Sequence, residues 1–320
     1  MEYWDLYDAE RKPLGRTHLR GDEFADGEYY VCCEIWVVNS RGEFLATKRH
    51  PDKKRGNMWE FTGGGTLAGE TTLQSAIREL AEETGIRAGE KEPELIATYA
   101  NKNYFMDIFL VRKDVEIKDI VLQPGETVDA KWVSDTEIGQ MIANGEFVHS
   151  VGKRYSLYKT RTLQTVFESE NIRYVRLNVL LLKEYLEMIN DIENVGRMIG
   201  RRSTTTEEDE IMWVRGKLDE NAPIFSMIDK QSGKYIGNIE IMDMKEQEGE
   251  LGISITADKQ EKGYGTEAIP AFLAYAREHW GVKRVFLKVY PDNLRAIHVY
   301  TKCGFKEYDR TEEDIFMEAK

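Results

Sequence analysis

The sequence predicts two domains of mixed α and β structure, an α/β (α+β) protein. Three observations carry that reading. A chain of 320 residues exceeds what one ordinary core organises, at roughly 150 residues per domain. Both halves alternate short β-type apolar runs with segments of helical period, and no internal repeat relates one half to the other. With 41% hydrophobic residues, 11% aromatic residues and 7 prolines the chain can bury real cores, which excludes wholesale disorder and collagen-like or mucin-like composition.

Residues 29–39 read as a strand, and Asn39, Ser40, Arg41 and Gly42 as the turn of a hairpin into a second strand at 43–48. After a loop holding Pro51 and Gly56, the run Trp59, Glu60, Phe61 and Thr62 leads into three glycines. A helix follows, marked by Leu73, Ala76, Ile77, Leu80 and Ala81 at helical spacing, with Gly85 as its stop. Alternating segments near 95–99, 104–111 and 130–133 precede a helix over 135–144. The polar, basic tract 151–170 reads as a terminal helix plus connector, which gives domains at 1–160 and 171–320 joined by 161–170. In the second domain a strand at 172–177 leads to a helix bearing Leu180, Leu181, Tyr185, Leu186 and Ile189. Strands are predicted at 224–228, 235–241 and 250–255, with turns at Ser232, Gly233 and Gly249.

The net charge is −13, from 44 Lys and Arg against 57 Asp and Glu, and both halves share it. Such a field repels phosphate backbones, so nucleic acid is a disfavoured partner. No apolar run approaches the roughly 20 residues that cross a bilayer. The first residues have neither a basic nor an apolar leader segment, so the expected location is cytoplasmic, with no membrane partner. Cys32, Cys33 and Cys303 are odd in number and lack metal-ligand spacing, which reads as buried thiols.

The stretch from Gly64 to Ile86 places Glu79, Glu82 and Glu83 at i, i+3 and i+4 on one helical side. Unpartnered, each like-charged pair costs a few tenths of a kcal/mol, and a hard divalent cation is the natural compensation. The bland reading is a solvated acidic stripe with Arg78 as counter-ion. The whole pattern, Gly64, Glu70, Arg78, Glu79, Leu80, Glu82, Glu83, Gly85 and Ile86, resembles the Nudix box at every fixed position. That resemblance implies an α/β/α sandwich and metal-dependent hydrolysis of a diphosphate linked to another group X. It implies Glu79, Glu82 and Glu83 as holders of Mg²⁺ or Mn²⁺, with Arg78 and Glu70 orienting them. The metal neutralises the diphosphate and acidifies a water, and a general base assists its attack. Glu82 is one candidate for that base, and Glu126 is another by the same resemblance, equally readable as an exposed loop residue. The flank Trp4 to Asp22 resembles the Nudix branch related to isopentenyl-diphosphate isomerase, whose chemistry needs a cysteine just before the box. Here that place reads Phe61, Thr62 and Gly63, so hydrolysis is favoured. Cys32 and Cys33 lie on an earlier strand, and His18 reads as a loop or core histidine.

In the second half Gln260, Glu261, Lys262, Gly263, Tyr264, Gly265 and Thr266 follow a strand and open an amphipathic helix carrying Ala268, Ile269, Phe272, Leu273 and Ala276. Free N–H groups at such a start bind phosphate. After a strand at 284–290, Asn293 can cap a helix that Gly304 ends, with Asn293, Ala296, Ile297 and Tyr300 on one side. Together these resemble the GNAT superfamily of acetyl-CoA-dependent N-acetyltransferases over residues 170–320, a mixed-sheet α/β fold. The resemblance implies that Ile253, Ser254 and Ile255 hold the pantetheine arm, that residues 260–266 cradle the pyrophosphate, that Asn293 contacts the cofactor and that Tyr300 protonates the departing thiolate. Glu250 and Glu240 are candidate bases, each equally a solvent-facing strand residue, and His298 reads as a surface residue. Residues 171–194 and 206–230 look nearest the branch containing ribosomal-protein N-terminal acetyltransferases, so the acceptor amine is a small molecule or a protein N-terminus. The expected whole is a bifunctional enzyme; the alternative is an acetyltransferase regulated by a non-catalytic, nucleotide-sensing Nudix domain.

Overall fold

A computed structural model describes residues 1–319, in two separate units covering 1–162 and 163 onward. The first unit opens with a hairpin that periodicity does not signal, β1 (Tyr3–Tyr7) and β2 (Pro13–Leu19), pairing Trp4 with His18. Most of β2 faces water on both sides, so it shows no apolar alternation. The hairpin turn is anchored instead by charge, since Arg11, at φ 61°, reaches both carboxylate oxygens of the buried Asp107.

The core strand β3 (Tyr30–Val38) is buried on both faces over almost its full length. It is followed by β4 (Phe44–Arg49), β5 (Trp59–Glu60) and β6 (Thr62–Gly65), then α1 (Thr72–Thr84), β7 (Glu94–Ala100), β8 (Tyr104–Arg112) and β9 (Thr127–Val133). The unit closes with α2 (Asp135–Ala143) and α3 (His149–Tyr158). β3 pairs in parallel with β8 along its whole length, and its other edge takes β6 antiparallel. β4 pairs with β5 and β9, and β7 with β8. One side of β3 sends Cys33, Ile35 and Val37 against Ala76 and Leu80 of α1. The other sends Trp36 against Phe61 and against Tyr155 of α3, ring centroids 5.4 and 5.6 Å apart. This is the helix, sheet, helix layering expected for the first half.

The second unit holds one eight-stranded sheet. Its elements are β10 (Thr165–Glu168), β11 (Ile172–Arg176), α4 (Leu182–Asn190), α5 (Glu207–Asp219), β12 (Ile224–Asp229), β13 (Tyr235–Lys245), β14 (Glu248–Ile255), α6 (Tyr264–Trp280), β15 (Arg284–Val289), α7 (Leu294–Lys302), β16 (Lys306–Arg310) and β17 (Ile315–Ala319). Residues 165–168, read from the sequence as connector, form an edge strand of this sheet. Phe167 secures it by stacking between Tyr174 and Tyr275 at 4.1 and 4.2 Å, an anchor with no local sequence signal. β14 and β15 are parallel neighbours for three residue pairs only, Glu248 with Arg284 to Glu250 with Phe286. Beyond them β14 continues beside β13 alone, from Leu251 to Ile255. α6 buries Ala268, Ile269, Phe272, Leu273 and Ala276 on the sheet, the side its period predicts. No helix among the described residues is long and apolar enough to cross a membrane.

Candidate functional sites

The glycine turn delivers the chain into α1, whose start is sealed by a capping box between Thr71 and Gln74 and whose end is Gly85 in the left-handed region at φ 72°. Gly64 lies so close to α1 that a β-carbon there would displace the Glu79 carboxylate. Arg78 organises the near side of the helix. Its Nε and Nη2 donate to Glu70 at 2.9 and 3.0 Å, and its Nη1 donates to Glu79 at 2.9 Å and Glu82 at 3.2 Å. The hydrogen bonds from Arg78 hold the Glu70 carboxyl below its ordinary value. Glu79 is pushed up by burial in spite of Arg78.

Glu83 faces the interior. It is 7% exposed, and its Oε2 is buried without a hydrogen-bond partner. Burial, then the nearby charges of Glu60 and Glu79, push its carboxyl up to about 8, against the relief supplied by Lys53 and the Gly63 N–H. Glu60 is likewise raised by burial although Arg49 pairs with it. Lys53 forms an ion pair with Glu126, and the next residue, Thr127, donates from Oγ1 to the Glu83 carbonyl at 3.3 Å, which lays this late loop against α1. Sequence reasoning missed Lys53 and Glu60. They lie upstream in a loop and a two-residue strand, where no spacing announces them.

Glu79, Glu82 and Glu83 thus share one side of α1, but Arg78 holds the first two while the third turns toward Glu60 and Lys53. Among the described residues no three acidic, histidine or cysteine side chains converge closely enough to form a finished cation cage. The residues nonetheless fit a hard divalent ion. Every donor is a carboxylate oxygen, and the unpartnered Glu83 oxygen is the kind of buried acceptor that a cation compensates.

The cysteine question gains a geometric answer. Cys33 is paired directly with Gly64 across β3 and β6, nearer the box than the sequence suggests. It is fully buried among Ser75 and α1, and burial pushes its thiol up to about 12. A protonated, enclosed thiol is no acid or base for a ligand in the cleft. His18 is 8% exposed, stacked 4.0 Å from Phe24, with Nε2 donating to the Asp22 carbonyl at 3.2 Å.

In the second unit the parted strands leave one edge of β14 unpaired at Ile253, Ser254 and Ile255, whose other edge bonds to Ile239, Asn238 and Gly237. Gln260 donates through Nε2 to the Ile255 carbonyl at 2.9 Å, tying the following turn to that strand. Gly263, at φ 86°, is the N-cap of α6 and gives no side-chain cap, so the first N–H groups, at Tyr264, Gly265 and Thr266, have no side-chain acceptor. Lys262 joins no ion pair among the described residues, and Tyr264 turns its hydroxyl away to Asp229 at 2.6 Å. Asn293 caps α7, its Oδ1 accepting from the Ala296 N–H at 3.2 Å, which leaves its amide nitrogen for a ligand. Tyr300 is 9% exposed on the inner side of α7, and burial pushes its hydroxyl up to about 12. Glu250 is raised by burial and by Asp243 and Asp314, against Lys288. Glu240 pairs with Lys217 at 3.4 Å, and His298 is exposed on α7.

Comparison with known proteins agrees with this geometry. The family model of the NUDIX domain matches residues 31–151, and that of the acetyltransferase (GNAT) domain matches residues 172–306. A Nudix hydrolase of Listeria monocytogenes is 35% identical over 150 residues, 46% of this chain and 89% of that protein. Spermidine N(1)-acetyltransferase of Vibrio cholerae is 25% identical over 105 residues, 32% of this chain and 61% of that protein. The solved spermidine N-acetyltransferase of Vibrio cholerae in complex with CoA and spermine is 20% identical, with 47% of this chain and 95% of that one covered and a TM-score of 0.43. The chain belongs to the Nudix hydrolase family through its first half, and carries a GNAT acetyltransferase domain in its second.

Proposed function

We propose that the chain is a bifunctional enzyme. Its first domain hydrolyses a nucleoside diphosphate linked to a group X, and its second transfers acetyl from acetyl-CoA to a primary amine. The buried, unpartnered Glu83 oxygen carries the hydrolase reading. The parting of β14 from β15 carries the transferase reading.

In the first site Glu79, Glu82 and Glu83 would hold Mg²⁺ or Mn²⁺, which when bound offsets diphosphate charge and acidifies a water. Arg78 fixes Glu70, Glu79 and Glu82 at once and stays charged throughout, since its hydrogen bonds raise its pKa. Glu82, nearly half exposed, and Glu126, ion-paired with Lys53, are the two candidates to take the proton of the attacking water. Lys53 then offers its ammonium to a phosphate oxygen whenever Glu126 releases it.

In the second site the free edge of β14 at Ile253, Ser254 and Ile255 pairs with the amide-bearing arm of the thioester. Residues Gln260, Lys262, Gly263, Tyr264, Gly265 and Thr266 surround its pyrophosphate, helped by Asn293. The amine attacks the thioester carbonyl, Glu250 removes its proton, and the Tyr300 hydroxyl gives a proton to the leaving thiolate. The name of the Vibrio relative, a spermidine acetyltransferase, supports an amine acceptor.

Nucleoside-diphosphate compounds with Mg²⁺ test the first domain; turnover should vanish on adding a chelator and fall about 10²-fold or more in Glu82→Gln. Binding without turnover would leave a nucleotide sensor instead. For the second domain, thiol release from acetyl-CoA should weaken in Tyr300→Phe, and absence of coenzyme A binding refutes the reading.

A further inference from the structure

Register lays out the face of the first sheet that looks away from α1. Cys33, Ile35 and Val37 pack on α1, so Cys32 and Glu34 between them face the other way. The residues in line with Cys32, namely Gly65 of β6, Met106 of β8 and Tyr99 of β7, share that side. All three keep part of their surface exposed, so this row is open to solvent. It is also low, because glycine, cysteine and an unbranched thioether make its floor. One wall is aromatic. Trp4 stacks on Tyr30 at 4.6 Å, and Tyr30 lies 5.7 Å from Tyr104. The opposite wall is Arg154 of α3, whose Nε donates to Glu34 at 3.1 Å and whose guanidinium lies 6.0 Å from the Tyr99 ring centroid. Tyr30 and Glu34 stand four residues apart on one strand, roughly 13 Å, so the row between them is a trough that admits a flat ring.

The trough adjoins the carboxylates of the box. Gly64 and Gly65 look to opposite faces of β6: a β-carbon on the first would strike the Glu79 carboxylate, and one on the second would lie 2.6 Å from Trp4 Nε1. Among the described strands β6 pairs with β3 alone, and residues 63–65 put no side chain on its edge. The hairpin that carries Trp4 is tied to the same turn, since the Tyr3 carbonyl accepts from the Ala68 N–H and the Asp5 carboxylate from the Gly69 N–H, both at 2.8 Å. A diphosphate beside Glu79 therefore reaches the trough over bare glycine. Two nitrogens there lack an acceptor among the described residues. Trp4 Nε1 is buried without one. Arg154 commits Nε and Nη2 to Glu34, while its Nη1 makes no hydrogen bond. Both groups can only donate. An unpaired buried donor is costly, and a ligand that brings the acceptor removes that cost.

We propose that this trough seats the base of the nucleoside diphosphate and selects a 6-oxopurine over a 6-aminopurine. This rests on the hydrolase reading above. Aromatic rings and sulfur suit the faces of a flat heterocycle. At its rim a 6-oxopurine presents two neighbouring acceptors, O6 and N7, where a 6-aminopurine sets an N–H₂ donor beside N7. Donors that meet a donor leave both sides unpaired, so Trp4 Nε1 and Arg154 Nη1 reject the amino base.

GDP-glucose, IDP-glucose and ADP-glucose, which differ only in the base, test it on the full chain with Mg²⁺ by release of the nucleoside monophosphate. The wild type should favour the two oxo substrates over ADP-glucose in kcat/KM by about tenfold or more. Trp4→Phe keeps a ring over Gly65 and removes the donor. It should cut that preference at least roughly threefold, through KM of the oxo substrates rather than kcat. Its melting temperature should equal or exceed the wild type's, because the N–H it removes is unbonded in the free chain, and this separates lost recognition from lost folding. Equal use of the three substrates, an IDP-glucose rate that follows ADP-glucose, or a preference untouched by Trp4→Phe overturns the proposal and leaves Trp4 as packing over Gly65. If none of the three is hydrolysed, that failure belongs to the hydrolase reading. Calorimetry then still decides the trough: GDP should bind the wild type more tightly than ADP and lose that margin in Trp4→Phe, and equal affinities overturn the proposal.

Discussion

Glu83 is where a single side chain exposes the most physics. Its folded-state carboxyl keeps a proton to about pH 8, against an ordinary value of 4.5. Between those values the folded chain holds a proton that the unfolded chain has lost. The stability tied to its neutral form is therefore complete below about 4.5 and drains away as pH rises through about 8. With chelator present the first domain's melting temperature should fall between about pH 5 and pH 8.5, by an amount worth a few kcal/mol at most. Glu83→Gln should flatten that decline, and Mg²⁺ should reverse it in the wild type alone. A wild-type profile as flat as the variant's refutes this account. The i, i+3, i+4 carboxylates were legible because helical spacing is local. Lys53 and Glu60 were not, because burial and approach from distant segments leave no mark on spacing.

Among the elements, those with one wet and one dry side were readable and those held by a few distant contacts were not. α1 and α6 declare themselves by apolar period and by glycine at their ends. The hairpin of β1 and β2, the single-anchor strand β10 and the wholly exposed β16 show no such pattern. α3 was expected only as a terminal helix, and its fastening is a buried ion pair. Arg154, 4% exposed, binds Glu34 of β3, 3% exposed, which also accepts from Trp36 Nε1 at 2.9 Å. Breaking such a pair strands a charge, whereas removing both partners removes the penalty. Arg154→Met should destabilise the first domain by about 3–5 kcal/mol in denaturant unfolding. Glu34→Gln combined with Arg154→Met should recover a good part of that loss; strictly additive losses would show that the pair contributes nothing as a pair.

At the scale of the whole molecule, each unit has its own apolar core, and a domain with its own core can unfold by itself. Scanning calorimetry should therefore resolve two responses to ligand. Coenzyme A should raise only the transition of the unit that starts at Leu163, and Mg²⁺ with a diphosphate only that of the other. One transition moved equally by both ligands would mean that the units unfold as one. The division itself was visible in length and in two unrelated motifs, while its exact position was hidden by a short strand in a polar tract.

The separation of β14 from β15 has a price in solution. Apart from the Ile255 carbonyl that Gln260 takes, the stretch 251–255 has no neighbouring strand on one side, and such an edge is an invitation to any extended peptide, including the same strand of another copy. Whatever ligand slides into that slot also acts as its stopper, and preparations starved of it should be the ones that cloud first.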